Sequence, residues 1–205
     1  MGSVSPLRRV ASDCPELASP AQSVGSDDPL PVRRTASAFS SRREARHGRV
    51  NGEMETVCIA FGSNLGRRQE NIRKALALLA ARLRITAISP VIESAPAEGA
   101  TGRPFLNGVC LCATKMPPEE LLLFLRHIER RMGRPFPRRK NQPRVIDLDI
   151  ILYGARVMRN ARLTIPHPRF ARRRFVLQPL AAVAPHMKDP RTGRTIAELC
   201  GACAQ

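Results

Sequence analysis

Tryptophan is absent from this 205-residue sequence, and aromatic residues make up only 4% of it. Hydrophobic residues nevertheless account for 43%, which suffices for one globular domain with an aliphatic core. No apolar run reaches the roughly 18 residues that a membrane span requires, and the N-terminus lacks the continuous apolar core of a secretory signal. We therefore expect a cytoplasmic protein that makes no membrane contact.

Glycine-rich phosphate loops are also missing. The sequence contains neither a Walker-type motif nor a GxGxxG motif after a strand. A bound nucleotide would therefore depend on arginine, lysine and metal ions. Six cysteines follow no disulfide-framework spacing, so reduced thiols are expected. Cys200 and Cys203 form a single CxxC pattern without partner histidines, which makes a zinc site or a thioredoxin-like role a poor explanation.

Positive charge is the feature that the sequence has in excess. Its 34 basic and 17 acidic residues give a formal net charge of +17. Residues 1–53 hold 8 of the basic and 6 of the acidic residues, so 26 and 11 remain in residues 54–205, a net of +15. Such a field attracts nucleic acid, a membrane surface or a nucleoside triphosphate. Charge alone does not choose among these partners.

The first 53 residues differ in composition from the rest. They are rich in Ser, Pro, Ala, Arg and Gly and show no sustained apolar period, so we expect a disordered N-terminal extension. Acidic residues such as Asp27 and Asp28 disfavour an organelle transit peptide. Residues 54–205 are expected to form the folded domain.

Within that domain, strand-like and helix-like patterns alternate. Strands are predicted at 57–61, 85–94 with a kink at Pro90, 107–115 and 146–153, and helices at 68–83 and 117–133. The Gly62-Ser63-Asn64 segment after the first strand predicts a turn and a helix N-cap. The βαββαβ order predicts a ferredoxin-like α+β sandwich, an antiparallel sheet with two helices on one face, followed by a C-terminal helical extension.

Two aspartates one residue apart, Asp147 and Asp149, lie in the last of these strands within an otherwise apolar run. Side chains alternate faces along a strand, so both carboxylates project from one face, with about 6.6 Å between their Cα atoms at about 3.3 Å per residue. Leu148 and Ile150 point the other way, into a core. Mg²⁺ prefers carboxylate oxygens together with substrate phosphates. The alternatives are a half-exposed edge strand with solvated acids, or carboxylates that pair with nearby arginines.

Basic residues flank this strand on both sides. Those before it are Arg134, Arg138, Arg139, Lys140 and Arg144, and those after it are Arg172, Arg173 and Arg174. Phosphoryl transfer requires metal ions and guanidinium groups that neutralise the non-bridging oxygens. The alternative is a solvated basic surface. His167 lies between Pro166 and Pro168 in a rigid turn, where a lone histidine is usually structural.

Several separated motifs together resemble one known family. In chain order they are Phe61-Gly62-Ser63-Asn64-Leu65-Gly66, Phe105-Leu106-Asn107, Glu129 with Gly133-Arg134, Pro143-Arg144-Val145-Ile146-Asp147-Leu148-Asp149, Ile165-Pro166-His167-Pro168 and Arg173-Arg174-Phe175. The sequence is similar to the 6-hydroxymethyl-7,8-dihydropterin pyrophosphokinases of folate synthesis. The resemblance runs from about Val57 to Pro185, nearly the whole predicted domain.

The resemblance implies transfer of pyrophosphate from ATP to the hydroxymethyl oxygen of the pterin, with release of AMP. It implies two Mg²⁺ ions held by Asp147 and Asp149. The residues that it implies for catalysis are Arg134, Arg144, Asp147 and Asp149. Those that it implies for ATP binding are Glu129, Arg134, Arg144, His167 and Arg173. Those for the pterin pocket are Phe105, Asn107 and Phe175, with the two rings sandwiching the heterocycle and the amide contacting its polar edge.

A second hypothesis comes from a different class of protein. A basic ferredoxin-like sheet could bind RNA without catalysis, as RRM-type domains do. Such domains carry exposed aromatic residues on their central strands, which this sequence does not provide, and aspartates in an RNA-facing strand would repel phosphate. We therefore expect small-molecule substrates, no nucleic-acid partner, and a monomer.

Overall fold

The computed structural model describes residues 53–96, 102–134 and 142–203. The predicted extension lies, except for Glu53, outside the described residues. Within them the secondary structure runs in chain order as β1 (Glu55–Ser63), α1 (Arg68–Ala80), β2 (Arg84–Ile88), β3 (Ile92–Ser94), β4 (Phe105–Thr114), α2 (Pro118–Arg131), β5 (Asp147–Tyr153), β6 (Met158–Arg159), β7 (Thr164–Ile165), a 3₁₀ turn (Phe170–Arg172), α3 (Arg174–Val183) and α4 (Ile196–Ala202).

The main sheet has five strands, and every pair in it is antiparallel. Its order is β2-β4-β1-β5, with β3 also paired to β4. The predicted strand at 85–94 is therefore two strands, which break around Pro90 as the kink predicted. The fold is an α+β arrangement of this sheet with the four helices. The β6–β7 hairpin, which no apolar pattern indicated, forms a separate two-stranded sheet.

Helices α1 and α2 cover the first face of the main sheet. The predicted stripe of α1 is buried at Ile72, Leu76 and Leu79. The helix ends at Ala80, three residues before the predicted end. Leu83 is still buried in the first core, and its N–H donates to the carbonyl of Leu79. The α1 side of this core therefore matches the predicted apolar face.

Helix α2 lies within its predicted bounds, one residue shorter at the start and two at the end, and carries the predicted signals at both ends. Pro118 occupies its first turn together with Glu119 and Glu120, where acidic side chains favour the positive end of the helix dipole. Gly133 follows the last turn with a φ of 93°, a left-handed conformation that glycine adopts without strain. This ending directs the chain toward the site residue Arg134.

Helices α3 and α4 cover part of the second face. The buried side chains there include Val109, Leu111, Val176, Leu177, Leu180 and Ile196. Helix α3 contains Pro179, and helix α4 begins with a capping box between Thr195 and Glu198. The sheet thus has two apolar cores, and the C-terminal helices build the second one.

A β-bulge in β5 changes the phase of the strand. Cys58 pairs with Leu152 and Ile59 pairs with Ile150, which leaves Ile151 as an extra residue. Because of this residue, Leu152 faces the second core while Tyr153 returns to the first. The Tyr153 hydroxyl donates a hydrogen bond of 2.6 Å to the carbonyl of Met116.

Candidate active site

The two aspartates lie at the N-terminal end of β5, on the second face of the sheet. Asp147 pairs across the sheet with Gly62, and Asp149 pairs with Ala60. Leu148 is 2% exposed in the first core, as the alternation predicted. Both aspartates are only partly buried. They therefore project from the face that α3 and α4 cover elsewhere.

Asp147 is held between two arginines. Its Oδ1 accepts a hydrogen bond from Nη1 of Arg134 at 2.6 Å, and its Oδ2 accepts one from Nη1 of Arg144 at 2.8 Å. All three side chains are at most 25% exposed. Pairing with nearby arginines, one of the alternatives from the sequence, is thus what Asp147 shows here. The same contacts bring two guanidinium groups together beside the acidic pair.

Glu129 lies behind Arg134 at the end of α2. Its side chain is 2% exposed and forms an ion pair with Nη1 of Arg134, while the same Oε1 accepts the backbone N–H of Leu148 at 3.0 Å. Burial alone lowers the pKa of Arg134, but the charges of Asp147 and Glu129 outweigh it and raise that pKa overall. The arginine is therefore charged, and Glu129 joins it to the acidic strand.

His167 and Arg173 face the aspartates from the chain after β7. The His167 N–H donates to the carbonyl of Ile151 at 2.9 Å, and its Nδ1 accepts from the N–H of Arg169 at 3.2 Å. Burial, together with the charges of Arg173 and Arg169, lowers the pKa of His167 to about 4. The imidazole is therefore neutral at pH 7. A peptide bond preceding this turn, Ile165-Pro166, is cis.

Arg173 belongs to the same electrostatic cluster. Burial and the neighbouring Arg169 lower its pKa, and the charges of Asp149 and Asp147 oppose that change. Its guanidinium carbon lies 5.6 Å from the centre of the Phe175 ring. Its neighbours Arg172 and Arg174 are exposed, so within this run only Arg173 combines burial with proximity to the acids.

The residues predicted for the pterin pocket begin two strands away from Asp147. Asn107 pairs with Gly62, and Gly62 pairs with Asp147, so all three residues share one face of the sheet. Two strand spacings put the Cα atoms of Asn107 and Asp147 about 10 Å apart. The Asn107 amide is 7% exposed and donates to Oγ of Ser94 at 2.8 Å. Phe105 lies 6.0 Å from the guanidinium carbon of Arg144. Arg144 thus contacts residues that were predicted for both the ATP side and the pterin side of the site.

Two neighbouring residues of this site were not predicted in their observed roles. The N-cap prediction for the Gly62-Ser63-Asn64 segment is wrong, because Arg67 occupies the cap of α1 without a side-chain hydrogen bond. Asn64 instead contacts Arg144 and Arg103. Arg68 donates to the carbonyl of Pro104 at 2.7 Å. These contacts join parts of the chain far apart in sequence, which local patterns do not reveal.

Magnesium fits the donor set of this site. Among residues 53–96, 102–134 and 142–203, no group of three or more His, Cys, Asp or Glu side chains is arranged to hold a metal ion. Mg²⁺ typically uses one or two carboxylates and completes its shell with water and substrate phosphates. Asp147 and Asp149 supply such a pair of oxygen ligands. The predicted basic residues Arg138, Arg139 and Lys140 lie outside the described residues.

Fold and site together define a class: an α+β protein in which an acidic pair lies among arginines, an arrangement suited to phosphoryl transfer. No helix in the described part of the chain has the length and apolar character needed to span a membrane. The chain belongs to the 7,8-dihydro-6-hydroxymethylpterin-pyrophosphokinase (HPPK) family, whose sequence profile matches residues 58–185. The resemblance inferred from the motifs is thereby confirmed.

Individual relatives agree with this assignment. The chain is 41% identical over 143 residues to the 2-amino-4-hydroxy-6-hydroxymethyldihydropteridine pyrophosphokinase of Synechocystis sp., covering 69% of this chain and 72% of that protein. With the enzyme of the same name from Pseudomonas aeruginosa it shares 39% over 152 residues, covering 73% and 93%. With the folic acid synthesis protein fol1 of Schizosaccharomyces pombe it shares 38% over 169 residues.

That alignment covers 82% of this chain but only 23% of the fungal protein, so the chain spans less than a quarter of the length of this relative. Among solved structures, the wild-type HPPK-DHPS of Plasmodium falciparum is similar with a TM-score of 0.61 at 15% identity, covering 74% of this chain and 45% of that one. This likeness supports the fold. The family and relatives give no support to the alternative of a nucleic-acid-binding module.

Proposed function

We propose that the chain transfers pyrophosphate from ATP to the hydroxymethyl group of 6-hydroxymethyl-7,8-dihydropterin, giving AMP and the pterin diphosphate in tetrahydrofolate biosynthesis. The observation that carries this proposal is the alignment of three side-chain positions on one sheet face. Asp147, Gly62 and Asn107 pair in succession across β5, β1 and β4. A metal-binding position and a polar pterin-binding position are then about 10 Å apart, on either side of a glycine.

Asp147 and Asp149 would hold two Mg²⁺ ions, which supply charge neutralisation for the triphosphate and acidify the attacking hydroxyl. The arginines provide the remaining positive charge. Arg134 and Arg144, which contact Asp147 at 2.6 and 2.8 Å, turn toward the phosphate oxygens, and Arg173 adds a third guanidinium. Transfer between two bound substrates then needs no side-chain nucleophile, because positioning and electrostatics carry the acceleration.

The other site residues bind and orient. His167, neutral because burial and two arginines hold its pKa near 4, can contact ATP without adding charge. Glu129 forms an ion pair with Arg134, and it contributes to ATP binding by holding this arginine in place. Asn107 contacts the polar edge of the pterin, and Phe105 and Phe175 stack on its two faces.

We further propose that residues 54–205 form one ferredoxin-like domain with a C-terminal helical extension that acts as a monomer. The strand order β2-β4-β1-β5 with antiparallel pairing supports this topology. A βαββαβ unit places its first and third strands at the centre of the sheet, and here these are β1 and β4, with β2 and β3 together forming the second strand of the unit. Helices α3 and α4 pack on the face that an RRM-type domain would use for RNA. Cytoplasmic localisation remains a prediction.

The test is incubation of the chain with ATP, Mg²⁺ and 6-hydroxymethyl-7,8-dihydropterin, with AMP separated by chromatography. AMP should form only when the pterin is present. Arg173→Ala should lower the rate, whereas the matched change Arg172→Ala, at an exposed neighbouring arginine, should leave it unchanged. A folded chain that forms no AMP, or forms it without pterin, would contradict the proposal.

A further inference from the structure

Asn64 joins two parts of the chain that carry opposite sides of the site. It follows β1 and is 2% exposed. Its Oδ1 accepts the backbone N–H of Arg144 at 2.7 Å, and its own N–H donates to the Arg144 carbonyl at 3.2 Å. Its Nδ2 donates to the carbonyl of Arg103 at 3.4 Å. One buried amide therefore contacts residues 39 and 80 positions away.

Both contacted segments lead directly into site residues. Arg144 forms the ion pair with Asp147, and Arg103 lies two residues before Phe105. The segments also touch each other. A Cβ placed on Gly102, which has a φ of 111°, would lie 2.8 Å from Cγ of Pro143 and 3.3 Å from Nδ2 of Asn64. The two segments therefore pack closely against each other beside Asn64.

We propose that Asn64 is a positioning residue for the transfer step: it holds the main chain of Arg144 in a fixed relation to the end of β1 and to the segment that precedes Phe105. The inference rests on the proposed function, since Arg144 and Phe105 are assigned there to the phosphate and pterin sides. Asn64 contacts neither reacting group. It acts through the two segments that it joins.

The side-chain hydrogen bonds explain why an amide is suited to this position, because its oxygen accepts from the Arg144 N–H while its nitrogen donates to the Arg103 carbonyl. Oδ1 accepts from the Arg144 N–H while the Asn64 N–H donates to the Arg144 carbonyl, so both main-chain groups of Arg144 are satisfied from one residue. A smaller side chain removes the acceptor and leaves the Arg144 N–H without this partner. Displacing a transfer-step group by about 1 Å can cost roughly 10²-fold in rate.

The test compares three variants in the AMP assay and by hydrogen exchange. Asn64→Ala should lower kcat by about 10²-fold with smaller changes in the KM values, and should speed exchange of the Arg144 amide. Asn64→Asp keeps the acceptor oxygen, so its kcat should be at least about tenfold higher than that of Asn64→Ala. Asn71→Ala is the matched control, because the Asn71 amide bonds to Ser63 and Leu65 of the same turn and should leave kcat within threefold of the wild type.

The outcomes separate this inference from the proposed function. Absence of AMP formation by the wild type would contradict the function itself. An active wild type with kcat of Asn64→Ala within threefold of it, an equal loss in Asn71→Ala, or no recovery in Asn64→Asp would overturn the positioning role. If Asn64→Ala does not fold, exchange in the wild type still decides: an Arg144 amide that exchanges as fast as an exposed amide would also overturn it.

Discussion

The two faces of the main sheet are built from the same strands but differ in how completely helices cover them. The first face is closed by α1 and α2 over an apolar core, with Leu121 and Leu125 fully buried. The apolar core of the second face lies beneath α3 and α4, and the other end of this face carries the polar residues Asp147, Asp149 and Asn107. Alternation along each strand therefore separates residues that stabilise the fold from residues that perform chemistry.

The sharpest test of this separation uses adjacent residues of β5. Asp149→Ala should reduce turnover by on the order of 10³-fold or more, because metal ions contribute several kcal/mol of charge stabilisation, with little change in unfolding free energy. Leu148→Ala should lower the unfolding free energy by about 2–5 kcal/mol through the cavity that it leaves. AMP assays and urea unfolding measure the two effects. Loss of stability in Asp149→Ala equal to that in Leu148→Ala would break the comparison.

Arg144 should affect turnover and metal affinity in opposite directions. Arg144→Ala removes a transition-state cation and should lower turnover by about 10²–10³-fold, as loss of a preorganised charge-stabilising donor does. It also removes the 2.8 Å ion pair between Arg144 and Asp147, which competes with a metal ion for the carboxylate. A partly exposed pair of this kind is worth roughly 1 kcal/mol, so Mn²⁺ alone should bind about fivefold more tightly. Calorimetry with Mn²⁺ measures this change. Unchanged turnover would make the arginine a structural partner only.

Two glycines allow the same substitution to be compared on opposite faces. A Cβ on Gly62 would lie 2.7 Å from Oδ1 of Asn107, whereas a Cβ on Gly108 would lie 2.5 Å from the ring of Phe61. Gly62→Ala should displace the amide and raise the pterin KM about tenfold, for one lost hydrogen bond of roughly 1.4 kcal/mol. Gly108→Ala should instead cost about 1–3 kcal/mol of stability by overpacking. Steady-state kinetics measures the pterin KM, and thermal unfolding measures the stability. A larger KM change in Gly108→Ala than in Gly62→Ala would contradict the assignment of the two faces.

His167 allows the second face to be tested through the proton affinity of one side chain. Because burial and two arginines lower its pKa from the ordinary 6.5 to about 4, the unfolded chain binds its proton more readily than the folded chain between those values. The contribution of His167 to the unfolding free energy is therefore complete above about pH 6.5 and is lost as the pH falls toward 4.

NMR titration of the imidazole measures this pKa directly. Arg173→Gln removes one of the two positive charges and should raise the pKa of His167, while Arg172→Gln, at an exposed position, should leave it unchanged. A wild-type pKa near 6.5 would contradict the buried environment described for His167.

What the sequence could predict was local. The acids of β5 and the apolar stripes of α1 and α2 follow from the periodicity of single elements, and the structure confirms these faces. The phase change at Ile151 was not predictable, because a bulge depends on the register with β1 rather than on the composition of β5. For the same reason, strict alternation from Leu148 and Ile150 does not account for Leu152, which lies in the second core.

The candidate site follows the same rule. Asp147, Asp149 and the flanking arginines could be grouped by their proximity along the chain. The family resemblance added Asn107 and gave His167 and Arg173 a role. The contact of Asn64 with Arg144 spans 80 positions and left no local signal. A triplet that locally indicates a helix cap therefore serves instead to join distant segments.

The geometry of Arg134 has one further consequence. Both of its carboxylate contacts, to Glu129 and to Asp147, run through the single nitrogen Nη1. If Asp147 released Arg134 in order to bind a cation, the guanidinium would therefore keep Glu129 as its counter-charge. An arginine with two carboxylate partners can in this way lose one of them without becoming an uncompensated cation inside the protein.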